Sequence, residues 1–130
     1  MEKLIMVVDD SPTFLSSVSF CLRNAGYKVT EAKDGKDALE KLSNMKKEGQ
    51  IPSLVVTDIN MPRMDGIAFI KKVKKGNFRF LPILVLTTES EKSMIEKGKA
   101  AGASGWLVKP FRPEKFLWVI KKLVWTDERT

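Results

Sequence analysis

The sequence predicts an α/β protein built on a doubly wound, five-stranded parallel sheet. Three observations carry this. Short apolar runs, several rich in β-branched residues, alternate five times with amphipathic stretches. The runs are apolar on both faces, as expected of strands covered by helices on each side. Right-handed crossovers then wind such strand–helix units into a doubly wound sheet.

Leu4-Ile5-Met6-Val7-Val8 reads as the first buried strand. Ser11 and Pro12 suit the N-cap and first turn of a helix. Its apolar residues Phe14, Leu15, Val18 and Leu22 recur at helical spacing, and Gly26 stops it. Lys28 to Ala32 is a short second strand, and Ala38, Leu39, Leu42 and Met45 mark a second helix closed by Gly49. Leu54-Val55-Val56-Thr57 is the third strand, followed by a loop holding Pro62 and Gly66 and a helix marked by Ile67, Ile70 and Val73. Pro82 to Leu86 is the fourth strand, 90–102 a helix rich in Lys and Ala, and Trp106-Leu107-Val108 the fifth strand. Phe116, Leu117, Ile120, Leu123 and Val124 mark the last helix, and the polar tail from Thr126 to Thr130 is expected to fray.

A chain of 130 residues suits one domain, with a core at about 4–124 and no second, output domain. The apolar fraction of 43% is too high for disorder. Cys21 is the only cysteine, so no internal disulfide forms, in keeping with a reducing compartment. No apolar run reaches the roughly 20 residues of a membrane span, and the first residues do not resemble a signal peptide, so a cytoplasmic location is expected. Histidine is absent, which excludes histidine acid–base catalysis, histidine zinc ligands and a phosphohistidine. The net charge of +7 is unevenly spread. Residues 1–65 carry 9 basic and 10 acidic side chains, and residues 66–130 carry 14 and 6. A basic half attracts acidic partners, although a solvated lysine-rich surface accounts for it as well.

In open parallel sheets, functional groups collect beyond the carboxyl ends of the strands. Asp9 and Asp10 end the first strand, Asp58 the third, Thr87 and Thr88 the fourth, and Lys109 the fifth. Singly, each has a duller role as a cap, a loop hydroxyl or a surface lysine. If their strands are neighbours, they meet in one cleft. Three carboxylates there repel one another unless protonated or neutralised by a cation. An all-oxygen ligand set favours a hard ion, Mg²⁺ before Mn²⁺. Lys109 adds a point charge and Thr87 a hydroxyl, each suited to a phosphoryl oxygen. A carboxylate nucleophile with these partners has what phosphoryl transfer needs, which is mostly positioning and charge stabilisation. The nucleophile is already ionised, so no general base is required.

Four segments in this order and spacing, VVDDSP (Val7 to Pro12), TDINMPRMDG (Thr57 to Gly66), LTTES (Leu86 to Ser90) and GWLVKPF (Gly105 to Phe111), resemble the receiver domains of bacterial response regulators. The resemblance spans about residues 4–124. It implies a flavodoxin-like, CheY-like (βα)5 fold with strand order 2-1-3-4-5, an order the apolar pattern alone does not supply. It implies that Asp58 becomes an acyl phosphate, that Asp10 binds the metal directly and Asp9 largely through water, and that Asn60 offers its backbone carbonyl. Thr87 is then a switch residue that moves toward the phosphoryl group, and Lys109 contacts that group, with a cis bond to Pro110. Asn60 and Glu89 flank the path of the hydrolytic water and tune dephosphorylation. Trp106 stands at the switch aromatic, where the family often has Tyr, Phe or His, and its bulk suggests an incomplete or outward-biased swing.

The same resemblance implies a monomeric switch in a two-component system or phosphorelay, chemotaxis among the pathways. It catalyses only its own phosphorylation and dephosphorylation. A histidine kinase or phosphotransfer protein supplies the phosphoryl group. A downstream target protein, acidic by charge complementarity, meets the face of the fourth helix, fifth strand and fifth helix, where Lys92, Lys97, Lys99, Arg112, Lys115, Lys121 and Lys122 lie. An onward phosphate relay is the alternative. Neither nucleic acid nor a membrane is expected as partner. A haloacid-dehalogenase-type phosphatase would need a second Asp where Asp58-Ile59-Asn60 has none. A flavin-binding protein would need a Ser/Thr/Gly-rich loop in place of Asp9-Asp10-Ser11-Pro12. A nucleic-acid-binding module is suggested by charge alone.

Overall fold

Where the apolar runs fall, the backbone is extended: β1 (Leu4–Val8), β2 (Lys28–Ala32), β3 (Leu54–Thr57), β4 (Ile83–Thr87) and β5 (Gly105–Val108). The amphipathic stretches form α1 (Pro12–Asn24), α2 (Gly35–Lys47), α3 (Gly66–Lys75), α4 (Lys92–Ala101) and α5 (Pro113–Glu128). The structure is a computed structural model and describes residues 3–128. All strand pairs are parallel, in the order β2-β1-β3-β4-β5. The three central strands are almost wholly buried, while the edge strands β2 and β5 are partly exposed, because each lacks a neighbour on one side.

Alternate strand residues feed two cores. Met6, Val8, Val55, Ile83 and Val85 meet Ala38 and Leu42 of α2 and Phe69, Ile70 and Val73 of α3. Ile5, Val7, Leu54, Val56, Leu84 and Leu86 meet Val18 and Leu22 of α1 and Phe116, Ile120 and Val124 of α5. Met94 and Ala101 place α4 on the first side.

Element boundaries differ from the sequence reading in a few places. Gly66 belongs to α3, not to the preceding loop, because the Asp65 side chain accepts from the Ala68 N–H and caps the helix one residue earlier. That first residue must be small: a Cβ at Gly66 would lie 2.4 Å from the Asp58 carbonyl oxygen. The fourth helix is shorter than 90–102, and β4 begins after Pro82, which has no N–H for the ladder. Helix α5 runs through Thr126 to Glu128, where fraying was expected, since nothing there forbids a helix. The rest of that tail, Arg129 and Thr130, lies outside the described residues.

Lys74 closes the end of the sheet away from the cleft. Its ammonium donates to the carbonyls of Leu81 and Arg79, and burial lowers its pKa. Among the described residues, no helix is long and apolar enough to cross a membrane.

Candidate functional site

Backbone ladders, carried one step beyond the strands, bring the polar residues together. The Asp58 N–H donates to Val8 O at 3.0 Å, the Asp9 N–H to Ala32 O at 3.1 Å, and the Lys109 N–H to Thr87 O at 2.7 Å. The ends of β1, β3, β4 and β5 therefore share one rim. Asp9, Asp58 and Thr87 are buried there, and Asp10 is exposed. Thr88, read with Thr87 at the end of the fourth strand, lies one residue beyond β4 and is exposed.

The two buried carboxylates are held in place. Asp9 Oδ1 accepts from the Ser11 N–H at 3.0 Å, and Ser11 in turn caps α1, with Pro12 in its first turn. Asp58 Oδ1 accepts from the Ile59 N–H at 2.7 Å, while Thr57 donates its hydroxyl to the Asp58 carbonyl. Lys109 Nζ bridges the two acids, 2.8 Å from Asp9 Oδ2 and 3.3 Å from Asp58 Oδ2. Burial pushes the Asp9 carboxyl above its ordinary pKa, against the opposing pull of Lys109 and the Ser11 N–H. The Lys109–Pro110 peptide bond is cis.

Oxygens of Asp9, Asp10 and Asp58 lie within 4.8 Å of one another. Three carboxylate donors, with one of the three residues open to water, fit a hard divalent cation that keeps part of its hydration. Asn60, on the loop two residues beyond Asp58, is exposed.

Thr87 Oγ1 accepts from the Glu89 N–H at 3.3 Å, which leaves the hydroxyl proton for another acceptor. Trp106 lies on β5, at the position read as the switch aromatic. The indole is half-buried, and its Nε1–H donates to the Glu89 carbonyl at 2.9 Å. Gly98 of α4 makes the room: a Cβ there would lie 2.5 Å from indole Cζ3. A missing methyl on the facing helix is the compensation that the bulk of Trp106 requires.

Some contributors carried no local signal. Phe14 read as helix core, yet its ring centroid lies 3.8 Å from Lys109 Nζ, and Phe111 packs edge-on against it. Gly98 read as one residue in a Lys/Ala-rich helix. Neither role follows from spacing, because the partners are separated in sequence.

The chain matches the family model described as the response regulator receiver domain over residues 5–121. It is 38% identical over 112 residues to chemotaxis protein CheY1 of Helicobacter pylori, covering 85% of this chain and 87% of that protein. It is 36% identical over 115 residues to the alkaline phosphatase synthesis transcriptional regulatory protein PhoP of Bacillus subtilis, covering 88% of this chain but only 45% of PhoP. Among solved structures, chemotaxis protein CheY4 of Vibrio cholerae is 40% identical with a TM-score of 0.83, over 95% of this chain and 99% of that one.

Proposed function

The chain belongs to the response regulator receiver family of two-component signalling, and from that premise we propose that Asp58 accepts a phosphoryl group in a Mg²⁺-dependent reaction. The observation that carries this is Lys109 Nζ poised between Asp9 and Asp58 at the rim where three carboxylates converge. Asp9, Asp10, Asp58 and the Asn60 carbonyl would hold the ion, which supplies positive charge against the phosphoryl oxygens when bound.

A carboxylate oxygen of Asp58 attacks phosphorus in the phosphohistidine of a histidine kinase or phosphotransfer protein. The P–N bond breaks, its electron pair stays on the imidazole, and an acyl phosphate forms. Backbone and lysine contacts fix both carboxylate oxygens in advance, so little reorganisation is needed. Lys109 then contacts the new phosphoryl oxygens, and the Thr87 hydroxyl donates to another. Asn60 and Glu89 flank the approach of the hydrolysing water and set the lifetime.

Readout runs from Thr87 through Glu89 and Trp106 to α4, β5 and α5. Lys92, Lys97, Lys99, Lys115, Lys121 and Lys122 are exposed on these elements, and Arg112 is exposed in the loop before α5. Trp118 of α5 is 60% exposed, with Lys122 Nζ 4.5 Å from its ring centroid. Lysines beside an exposed indole suit an acidic partner protein with an apolar contact. Relatives named as chemotaxis proteins favour a switch in such a pathway.

Incubation with acetyl phosphate and Mg²⁺ tests the assignment. One phosphoryl mass should appear, and should vanish with EDTA or with Asp58→Asn; a mass gain that persists in Asp58→Asn overturns it.

A further inference from the structure

The loop from β3 to α3 carries Asn60 beside Asp58, and its outer turn is held from outside by an unusual pair. Arg63 has φ 65, and it is the single non-glycine residue with positive φ among the described residues. Left-handed backbone is unfavourable for a side chain such as arginine. The guanidinium is anchored: Nε donates to Asp34 Oδ2 at 2.8 Å and Nη2 to Asp34 Oδ1 at 3.0 Å. Asp34 is 3% exposed and is itself the N-cap of α2, accepting from the Asp37 N–H at 2.8 Å. The Arg63 hydrogen bonds hold its carboxyl below the ordinary carboxylate range.

The neighbouring residues repeat the connection. Met64 lies against Gly35, the residue after Asp34; a Cβ at Gly35 would sit 3.2 Å from Met64 Sδ and 3.3 Å from Met64 Cβ. At its base the loop is closed by the Gly66 N–H donating to Ile59 O at 2.7 Å. Gly66 runs so close to Asp58 that a Cβ there would collide with the Asp58 carbonyl, which leaves the loop little room to shift without moving the acceptor residue. The turn between has one internal backbone bond, Met64 N–H to Pro62 O.

We propose that Arg63 is a positioning residue, whose two-pronged ion pair with Asp34 fastens the metal-side loop to the start of α2 and so sets where the Asn60 carbonyl stands relative to Asp58. This rests on the reading that the cleft takes Mg²⁺. A rigid fork on a buried carboxylate fixes direction as well as distance, which a lysine on the same stem cannot do. Partners that orient ligands in this way commonly alter metal affinity by about 10- to 100-fold when removed.

The test uses the full chain and four variants. Arg63→Asn removes the fork but tolerates left-handed backbone. Asp34→Asn removes the charge but remains a good N-cap. Their combination measures coupling, and Arg63→Lys keeps charge without the fork. Mg²⁺ binding is read by titration calorimetry, and melting in EDTA reports folding separately. Each Asn variant should bind Mg²⁺ about tenfold more weakly, the double variant no more weakly than the singles, and Arg63→Lys in between. Wild-type binding with both Asn variants within twofold of it overturns the proposal, as do losses that simply add in the double variant. A wild-type chain that takes up no Mg²⁺ overturns the reading beneath it, and the proposal with it.

Discussion

Helices α3 and α4 are each ten residues long and pack side by side, yet they are held very differently. α3 starts at the Asp65 cap and buries Gly66, Phe69, Ile70 and Val73. α4 starts at Glu91 with no side-chain cap bond, and only Gly98 is fully buried. α3 is thus a fixed wall beneath Asp58. α4 rests on partly buried side chains, Met94 and Ala101, and on the Trp106 indole. Elements with few buried apolar contacts open at the lowest cost. The loosely held helix is the one that follows Thr87 and Glu89, where a change at the acceptor would first be felt.

The largest expected effect tests that asymmetry directly. Phe69→Ala should cost about 3–5 kcal/mol in urea unfolding, and Met94→Ala clearly less than half as much. Equal losses would break the contrast between the two helices.

Gly98→Ala sharpens it. Alanine gains about 1 kcal/mol in helix propensity, but its methyl meets the indole, and overpacking costs roughly 1–3 kcal/mol. A net loss of about 1 kcal/mol is expected. The Trp106 indole N–H should also shift in its proton NMR spectrum and exchange faster as its bond to Glu89 weakens. An unmoved resonance would mean that α4 yields instead of the indole.

The smallest effects concern the caps. Asp65→Ala should cost about 1 kcal/mol. Glu91→Asp offers α4 the cap it lacks and should add roughly 0.5 kcal/mol, at the low end of cap contributions. Hydrogen exchange in the first turn of α4 should slow with it; unchanged exchange would show that the missing cap is not what loosens the helix.

Much of the fold can be read from the chain because the relevant signals are local. The strands appear as unbroken apolar runs. Asp9, Asp58, Thr87 and Lys109 appear as polar residues at the ends of those runs. Their convergence also requires the strand order, which the resemblance to receiver domains supplied and the apolar pattern did not. Small boundary errors arose where a side chain reset a terminus, as Asp65 did for α3.

The sequence by itself determined five strand–helix units, a covered parallel sheet and a row of acids, hydroxyls and a lysine at the strand ends. These follow from periodicities of two and 3.6 residues and from where polarity begins. Only the tertiary structure decided that Lys109 lies over Phe14, that Arg63 grips Asp34 and that Trp106 fits against Gly98. The physical reason is the same in each case. The partners lie on different elements, and what joins them is the distance between packed faces, sometimes down to one absent methyl group. No pattern along the chain encodes that separation.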